Sequence, residues 1–351
     1  YRAVLTHGFT VDEKGRKMSK SLGNVIAPQK VVDSLGADIL RLWVAATDYR
    51  GEISVSDEIL KRMSDSYRRM RNTTRFLLGN LHGFEPARHT VPLDDMLALD
   101  RWALQRARSL QEAVVAAYRD FEFHVIYQKV HNFCVVDMGG FYLDVIKDRL
   151  YTTPRDSVAR RSAQTAMYHV AEAMVRWLAP ILAFTSEEIW ANLPGERPAS
   201  VLMATWHDIP TAGSGESPDW PLLLKIREDV SRELERLRKD NRIGSGLDAA
   251  VDLYCSPAVA ERLAVLGDEL RFMFITSEAR VHPLDDRPGD AVELEGVGGG
   301  QLYATVAPFE AQKCVRCWHR RPEVGTDPGH PELCGRCVVN VSGSGETRRW
   351  A

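Results

Sequence analysis

The sequence predicts a mainly α-helical chain that also carries a small α/β segment and a separate cysteine-rich terminus. Three observations predict it. Apolar residues recur at helical spacing through most of positions 28–193, short alternating and β-branched runs appear between 249 and 306, and four of the six cysteines fall in two Cys-x-x-Cys pairs from Cys314 onward. A length of 351 residues gives room for about two to four domains with sizeable cores.

From position 2 to 23, apolar and polar residues alternate around Asp12-Glu13-Lys14-Gly15, which predicts a hairpin with Gly15 at the positive-φ turn position. Pro28 suits the first position of a helix, and Val31, Val32, Leu35, Ile39, Leu40, Trp43 and Val44 keep roughly helical spacing with an interruption at Gly36. Two short helices joined by a turn are expected there. Ser56 is a candidate cap for a long helix to about Leu81, with Ile59, Met63, Tyr67, Met70, Thr74, Leu77 and Leu78 on one side and a basic opposite side. Further helices are expected over 99–118, over 122–151 with a break at Gly139-Gly140, and over 156–193 with Pro180 ending or kinking the run. Residues 51–195 therefore read as an antiparallel helical bundle.

Residues 211–221 are rich in Gly, Ser and Pro and read as a linker. Beyond them a charged helix over 220–241, strands over 249–254, 291–294 and 301–306, and a helix over 259–266 predict a small α/β domain. No internal repeat is present.

The formal net charge of −3 gives no global basic field, so contact with a polyanion must come from local patches. Cys134 and Cys255 stand alone, Cys134 as a small buried hydrophobe, and the paired cysteines suit metal binding in a reducing compartment better than a disulfide framework. The start carries no leader pattern, and the most apolar stretch, 177–184, is too short to span a bilayer and has Arg176 on its flank. A soluble cytoplasmic protein is expected, with no membrane partner. Position 1 is Tyr and the opening residues read as mid-strand, so a longer polypeptide is expected to contain this chain.

The sharpest motif is Lys17-Met18-Ser19-Lys20-Ser21, continued by Leu22-Gly23-Asn24 and preceded by Gly15-Arg16. It resembles the lysine signature loop of class I aminoacyl-tRNA synthetases. In that chemistry an amino-acid carboxylate attacks the α-phosphate of ATP, and negative charge grows on the departing pyrophosphate. Flexible ammonium groups on a loop of small residues can neutralise it, and Lys20 is the expected catalytic residue with Lys17 as a second phosphate contact. An isolated Lys-x-x-Lys would read as a solvated turn, whereas the whole pentapeptide with its extension does not. The His-Ile-Gly-His-type element that such enzymes also need is missing, and Thr6-His7-Gly8-Phe9 is not a match.

Residues 36–43, Thr47 to Gly51, and 54–75 look like the isoleucyl-tRNA synthetase family rather than its valine or leucine relatives, and the resemblance runs through essentially the whole chain. It implies four parts. Residues 1–50 would end the class I catalytic domain, 51–212 would form the helical anticodon-binding domain, 213–310 an α/β junction domain, and 311–351 a zinc module. It also implies ATP with Mg2+ and isoleucine as substrates of the complete enzyme, an isoleucine-accepting tRNA as partner, and a monomer. The amino-acid pocket and the editing insertion would lie outside this chain, which alone is expected to be inactive.

Lys61, Arg62, Arg68, Arg69, Arg71 and Arg75 crowd one predicted helix with Asp65 as the only acid among them. Arg68, Arg69, Arg71 and Arg75 are the candidates for RNA phosphate contacts, against the alternative of a solvated or internally paired helix face. Trp102, Trp177 and Trp190 lie in apolar helical contexts and read as core rather than base-stacking residues.

Cys314 and Cys317 are followed after sixteen residues by Cys334 and Cys337, the spacing of a four-thiolate structural zinc site. Gly335 permits a tight turn. Paired disulfides and a redox pair are the alternatives, and His319 and His330 are alternative ligands between the pairs. Trp318, Arg320 and Arg321 follow the first pair directly and mix aromatic with basic character, which suggests an RNA surface. Trp318 as a lid over the metal is the competing assignment. A non-catalytic RNA-binding protein that reuses synthetase modules is the alternative for the whole, and the valine enzyme the alternative in specificity.

Overall fold

The computed structural model describes residues 1, 3–210, 215–294 and 300–351, and the chain divides into two compact units. The expected linker falls partly outside the described residues, at 211–214, as does Arg2 at the head of the expected hairpin. The chain is mainly helical, with two small sheets.

The first unit comprises residues 1–90, 102–142 and 164–212. Gly15 takes φ 72° in a turn closed by its own N–H to Asp12 O and by Asp12 N–H to Arg16 O. The expected hairpin shrinks to a single bridge between Val11 and Lys17, because Thr10–Val11 pairs in parallel with Ile53–Ser54 instead. Helices Pro28–Leu35 and Ala37–Ala46 meet at Gly36, whose φ of 92° favours a residue without a side chain. Val31, Trp43, Ile53, Val55 and Leu60 close a core over them.

Helix Asp57–Asn80 starts at Ser56, whose hydroxyl accepts the Ile59 N–H at 3.3 Å. Its buried side runs through Leu60, Ser64, Met70, Thr73, Thr74 and Leu77, turned from the expected stripe so that Ile59 and Met63 are only partly covered. The expected break at Gly139-Gly140 is absent: Phe133–Tyr142 is π-helical. A Cβ at Gly139 would sit 3.1 Å from Cys134 O, and one at Gly140 3.1 Å from Val135 O, so glycine makes room for carbonyls five residues back in the wider turn. Pro180 does end a helix, separating Val158–Leu178 from Ala183–Asn192. The second of these is capped by buried Asp38, which accepts the Thr185 N–H at 2.7 Å and the Thr185 hydroxyl at 2.6 Å. Trp102, Trp177 and Trp190 are all buried, and Trp177 donates its indole N–H to Gln111 Oε1 at 3.0 Å.

The second unit comprises residues 91–101, 143–163 and 213–351. Its sheet has the order Glu278–Pro283, Ala249–Cys255, Leu302–Pro308, Val292–Glu293, with the first pair parallel and the others antiparallel. The first of these strands was not among those expected; its charges and terminal proline are tolerated at a sheet edge. Helices Trp220–Lys239 and Pro257–Ala264 accompany the sheet. Helix Leu143–Thr152 contributes Arg149, which is fully buried and donates to Asp100 Oδ2 at 2.7 Å.

Candidate functional sites: a lysine loop and a thiolate cluster

The lysine loop is fastened at its base and open at its tip. Residues Lys20–Leu22 make one 3-10 turn, capped by Ser19 Oγ accepting the Leu22 N–H at 3.2 Å and ended by Gly23 at φ 67°. Asn24 accepts the Ser19 N–H at 2.9 Å and donates to Asp12 Oδ2 at 3.0 Å and to Lys17 O at 3.4 Å. The Asn24 amide and the Arg16 N–H hold the Asp12 carboxyl well below the usual carboxylate range. Sequence reasoning had Asn24 only as part of the motif and Asp12 only as a turn residue; their joint role as the loop's anchor needed the fold. Met18 and Ser19 are half-buried, while Lys17, Lys20 and Ser21 are exposed. The Lys17 ammonium lies 4.7 Å from the Phe9 ring centroid. Lys20 makes no ion pair among the described residues, so this cation is available to an anion.

The cations of Asp57–Asn80 are not equivalent. Arg62 pairs with Glu58 and Arg68 with Asp65, both exposed and therefore weak. Arg71 forks onto Glu188 at 2.8 and 2.6 Å, and those hydrogen bonds raise the guanidinium pKa further. Lys61, Arg69 and Arg75 are exposed and make no ion pair among the described residues. Arg75 also lines a shallow groove with Leu78, His82, Phe84 and Asn192.

In the second unit the first Cys-x-x-Cys pair lies in a knuckle: Cys314 N–H donates to His319 O at 2.9 Å, and Lys313 bridges to Arg320. The second pair straddles a helix start, with Cys334 as the N-cap residue of Gly335–Ser342 and Cys337 in its first turn. All four thiols are buried, and their sulfurs lie within 4.8 Å of one another, with Cys317 and Cys334 at 3.6 Å. A zinc–sulfur bond of about 2.3 Å in a tetrahedron requires sulfurs about 3.8 Å apart, so the donor set fits one zinc ion. Without a cation the sulfurs cannot all be thiolates: hydrogen bonds from Cys334 and Cys337 drive the Cys317 pKa down, and the bond to Cys317 pushes that of Cys334 up. Four sulfurs close the coordination shell, which makes this a structural zinc site. His319 and His330 are not ligands. The His319 ring faces Asp148 and Arg271, and His330 bonds Ser342 Oγ at 2.7 Å.

Around the thiolates lies an ion network that sequence reasoning missed. Asp148, on helix Leu143–Thr152, takes Arg336 at 2.6 and 2.8 Å and Arg348 at 2.6 Å, with His319 Nε2 at 3.6 Å. Glu346 completes it by accepting from both arginines. Although burial acts to raise its pKa, the Arg336 guanidinium, His319 and Arg348 keep the Asp148 carboxyl well below the usual range. Arg348 stacks on the Phe272 ring at 3.4 Å. Arg316 donates to Cys337 Sγ at 3.9 Å, a contact that steadies a thiolate.

Two RNA-contact candidates are engaged internally here. Arg320 pairs with Asp248 at 3.0 Å, and Arg321 with Glu278 and Glu323, each at 3.1 Å. Trp318 is 60% exposed at φ 66°. No helix among the described residues is long and apolar enough to cross a membrane.

Three family models match the chain: "tRNA synthetases class I (I, L, M and V)" over residues 1–56, "Anticodon-binding domain of tRNA ligase" over 100–253, and "Zinc finger found in FPG and IleRS" over 311–339. Similar curated proteins include isoleucine–tRNA ligases of several bacteria. The isoleucine–tRNA ligase of Nitrosococcus oceani is 63% identical over 356 residues, covering 100% of this chain and 37% of that protein. Those of Halorhodospira halophila and Thioalkalivibrio sulfidiphilus are each 62% identical over 100% of this chain and 38% of their own length. The chain thus spans a little over a third of these relatives.

Proposed function

Because the chain belongs to the isoleucine–tRNA ligase family, we propose that it works as part of an ATP-dependent enzyme that activates isoleucine and esterifies it to an isoleucine-accepting tRNA. The observation that carries this reading is the 63% identity over a match that spans the whole chain. In the first step the isoleucine carboxylate attacks the α-phosphate of ATP, and the bond to pyrophosphate breaks. In the second a terminal ribose hydroxyl of the tRNA attacks the adenylate carbonyl and AMP leaves.

Within that enzyme Lys20 is the cation for the departing pyrophosphate, assisted by Lys17, and Met18, Ser19 and Ser21 form the rest of the ATP-binding loop. The anchored base and exposed tip of the loop suit this work. The helical segment contributes tRNA binding, with Arg69 and Arg75 better placed for phosphates than Arg68 and Arg71, whose heads are paired. Trp318 is the aromatic of the zinc knuckle that meets RNA, while Arg320 and Arg321 shape the knuckle. The reading includes a monomer in the cytoplasm, a compartment that keeps thiols available to a metal.

The test separates binding from chemistry. The 351-residue chain alone is expected to retain an isoleucine-accepting tRNA transcript in a filter-binding assay, yet to exchange no pyrophosphate into ATP with isoleucine present. Exchange by the chain alone, or no preference for that tRNA over an unrelated one, would overturn the reading.

A further inference from the structure

The position of Lys20 depends on two polar side chains, one of which lies outside the lysine motif. Asp12 directly follows the strand Thr10–Val11, where Val11 is buried and its carbonyl accepts the Val55 N–H at 3.1 Å. That strand joins Asp12 to the core that holds Ile53 and Val55. The Asp12 carboxylate is buried and fully engaged. Its Oδ1 accepts the Lys14 N–H at 3.0 Å and the Arg16 N–H at 2.9 Å, and its Oδ2 accepts Arg16 Nε–H at 2.9 Å and the Asn24 amide at 3.0 Å. Such a carboxylate is a fixed point, because moving it would leave a buried charge and its donors unpaired.

Asn24 carries that fixed point across to the incoming side of the loop. Its carbonyl accepts the Ser19 N–H at 2.9 Å, while its NH2 group serves Asp12 and, at 3.4 Å, Lys17 O. Met18, between those two residues, packs its side chain against the core. Ser19 is thus tied to Asn24, and the Lys20 stem starts one residue later. From Lys20 to Leu22 the chain makes a single turn with all three residues exposed. A carboxamide suits position 24 where a carboxylate does not, since the side chain must accept on one atom and donate from the other.

A cation stabilises developing charge only from a fixed place, and a displacement of about 1 Å can cost about a hundredfold in rate. Resting on the role of Lys20 proposed above, we infer that Asp12 and Asn24 are positioning residues for the adenylation step: they set where the Lys20 ammonium meets the departing pyrophosphate, without touching ATP themselves. Because that charge grows only as the bond to pyrophosphate breaks, the pair acts on kcat and not on the binding of ATP.

The experiment is isoleucine-dependent pyrophosphate exchange by the complete polypeptide, with affinity for an isoleucine-accepting tRNA measured alongside. Asn24→Asp keeps the size of the side chain and the acceptor for Ser19, but sets a second carboxylate oxygen against Asp12. Asp12→Asn keeps the size and turns a donor toward groups that themselves donate. Each is expected to lower kcat by about 10–100-fold, with the KM for ATP and for isoleucine nearly unchanged and tRNA affinity retained. Asn24→Asp combined with Lys20→Ala should be little slower than Lys20→Ala alone, because the pair acts through Lys20. Unchanged kcat in both variants, a rise in the KM for ATP alone, losses that multiply in the combined variant, or a loss of tRNA affinity in step with the rate would each overturn the positioning role while leaving Lys20 its own. Exchange that is absent from the unaltered polypeptide, or that Lys20→Ala leaves unchanged, would overturn the proposed function on which the pair's role rests.

Discussion

Two arginine-rich stretches look alike in the sequence and behave differently in the fold. Along helix Asp57–Asn80, Arg62 and Arg68 make only exposed pairs within their own helix, and Arg69 and Arg75 make none among the described residues. Around the thiolates, Arg316, Arg320, Arg321, Arg336 and Arg348 all bond to internal partners, two of them to the single carboxylate of Asp148. The difference follows from size. A long helix has an apolar stripe to bury and leaves its other side to solvent, whereas a cysteine module with little apolar core is built from a metal and buried ion pairs. A cluster of positive charge in a sequence therefore points to RNA only after the local supply of carboxylates is known.

The comparison breaks first at the metal. Removing zinc with a chelator, or replacing Cys317 by Ser, should unfold the terminal module, since structural zinc in small modules contributes on the order of 10–16 kcal/mol. Loss of the metal with helix Gly335–Ser342 intact by hydrogen exchange would show that the ion network suffices alone.

A smaller effect is expected from Asp148→Ala, which leaves Arg336 and Arg348 without their shared partner and should cost about 3–5 kcal/mol in denaturant unfolding. Arg75→Ala should stay within about 0.5 kcal/mol of the unaltered chain. The acid dependence has a definite sign. The folded Asp148 pKa lies below the ordinary value of 3.8, so its contribution is complete above that value and is lost as the pH falls through the folded pKa. The stability gap between the unaltered chain and Asp148→Asn should be constant from neutral pH down to about pH 5 and narrow only in stronger acid. A gap that closes between pH 7 and 5 would contradict this assignment.

The smallest effect sharpens the contrast in RNA binding. Arg75→Ala should reduce the slope of log affinity against log salt by roughly 0.7–0.9, the share of one phosphate contact. Arg321→Ala should leave that slope unchanged while lowering stability. The reverse pattern would return the knuckle arginines to the RNA surface.

Much of this was legible because it is local. Ser56, Pro28, Gly36, Gly15 and Pro180 act within a few residues of where they stand, and the four cysteines carry their geometry in their spacing. The π-helical backbone was hidden because glycine in a helical pattern reads as a break, whereas here it relieves crowding against carbonyls five residues back. The edge strand Glu278–Pro283 alternates only Ala279 and Val281 with polar residues, too short an apolar signal to mark it alone, and its identity comes from its partner Ala249–Cys255. The site residues divide in the same way. Motif spacing brings Lys17 and Lys20 to notice, but Asp148 meets Arg336 and Arg348 only through tertiary folding, at separations of 188 and 200 residues.

The central claim, that this chain serves an isoleucine ligase through Lys20, is tested most directly by isoleucine-dependent pyrophosphate exchange in the complete polypeptide, with and without Lys20→Ala. The account predicts exchange that requires isoleucine and falls by about 10²–10³ in the variant, the scale of losing one charge-stabilising group in a transition state. Exchange that ignores isoleucine, or a rate that Lys20→Ala leaves unchanged, would contradict it.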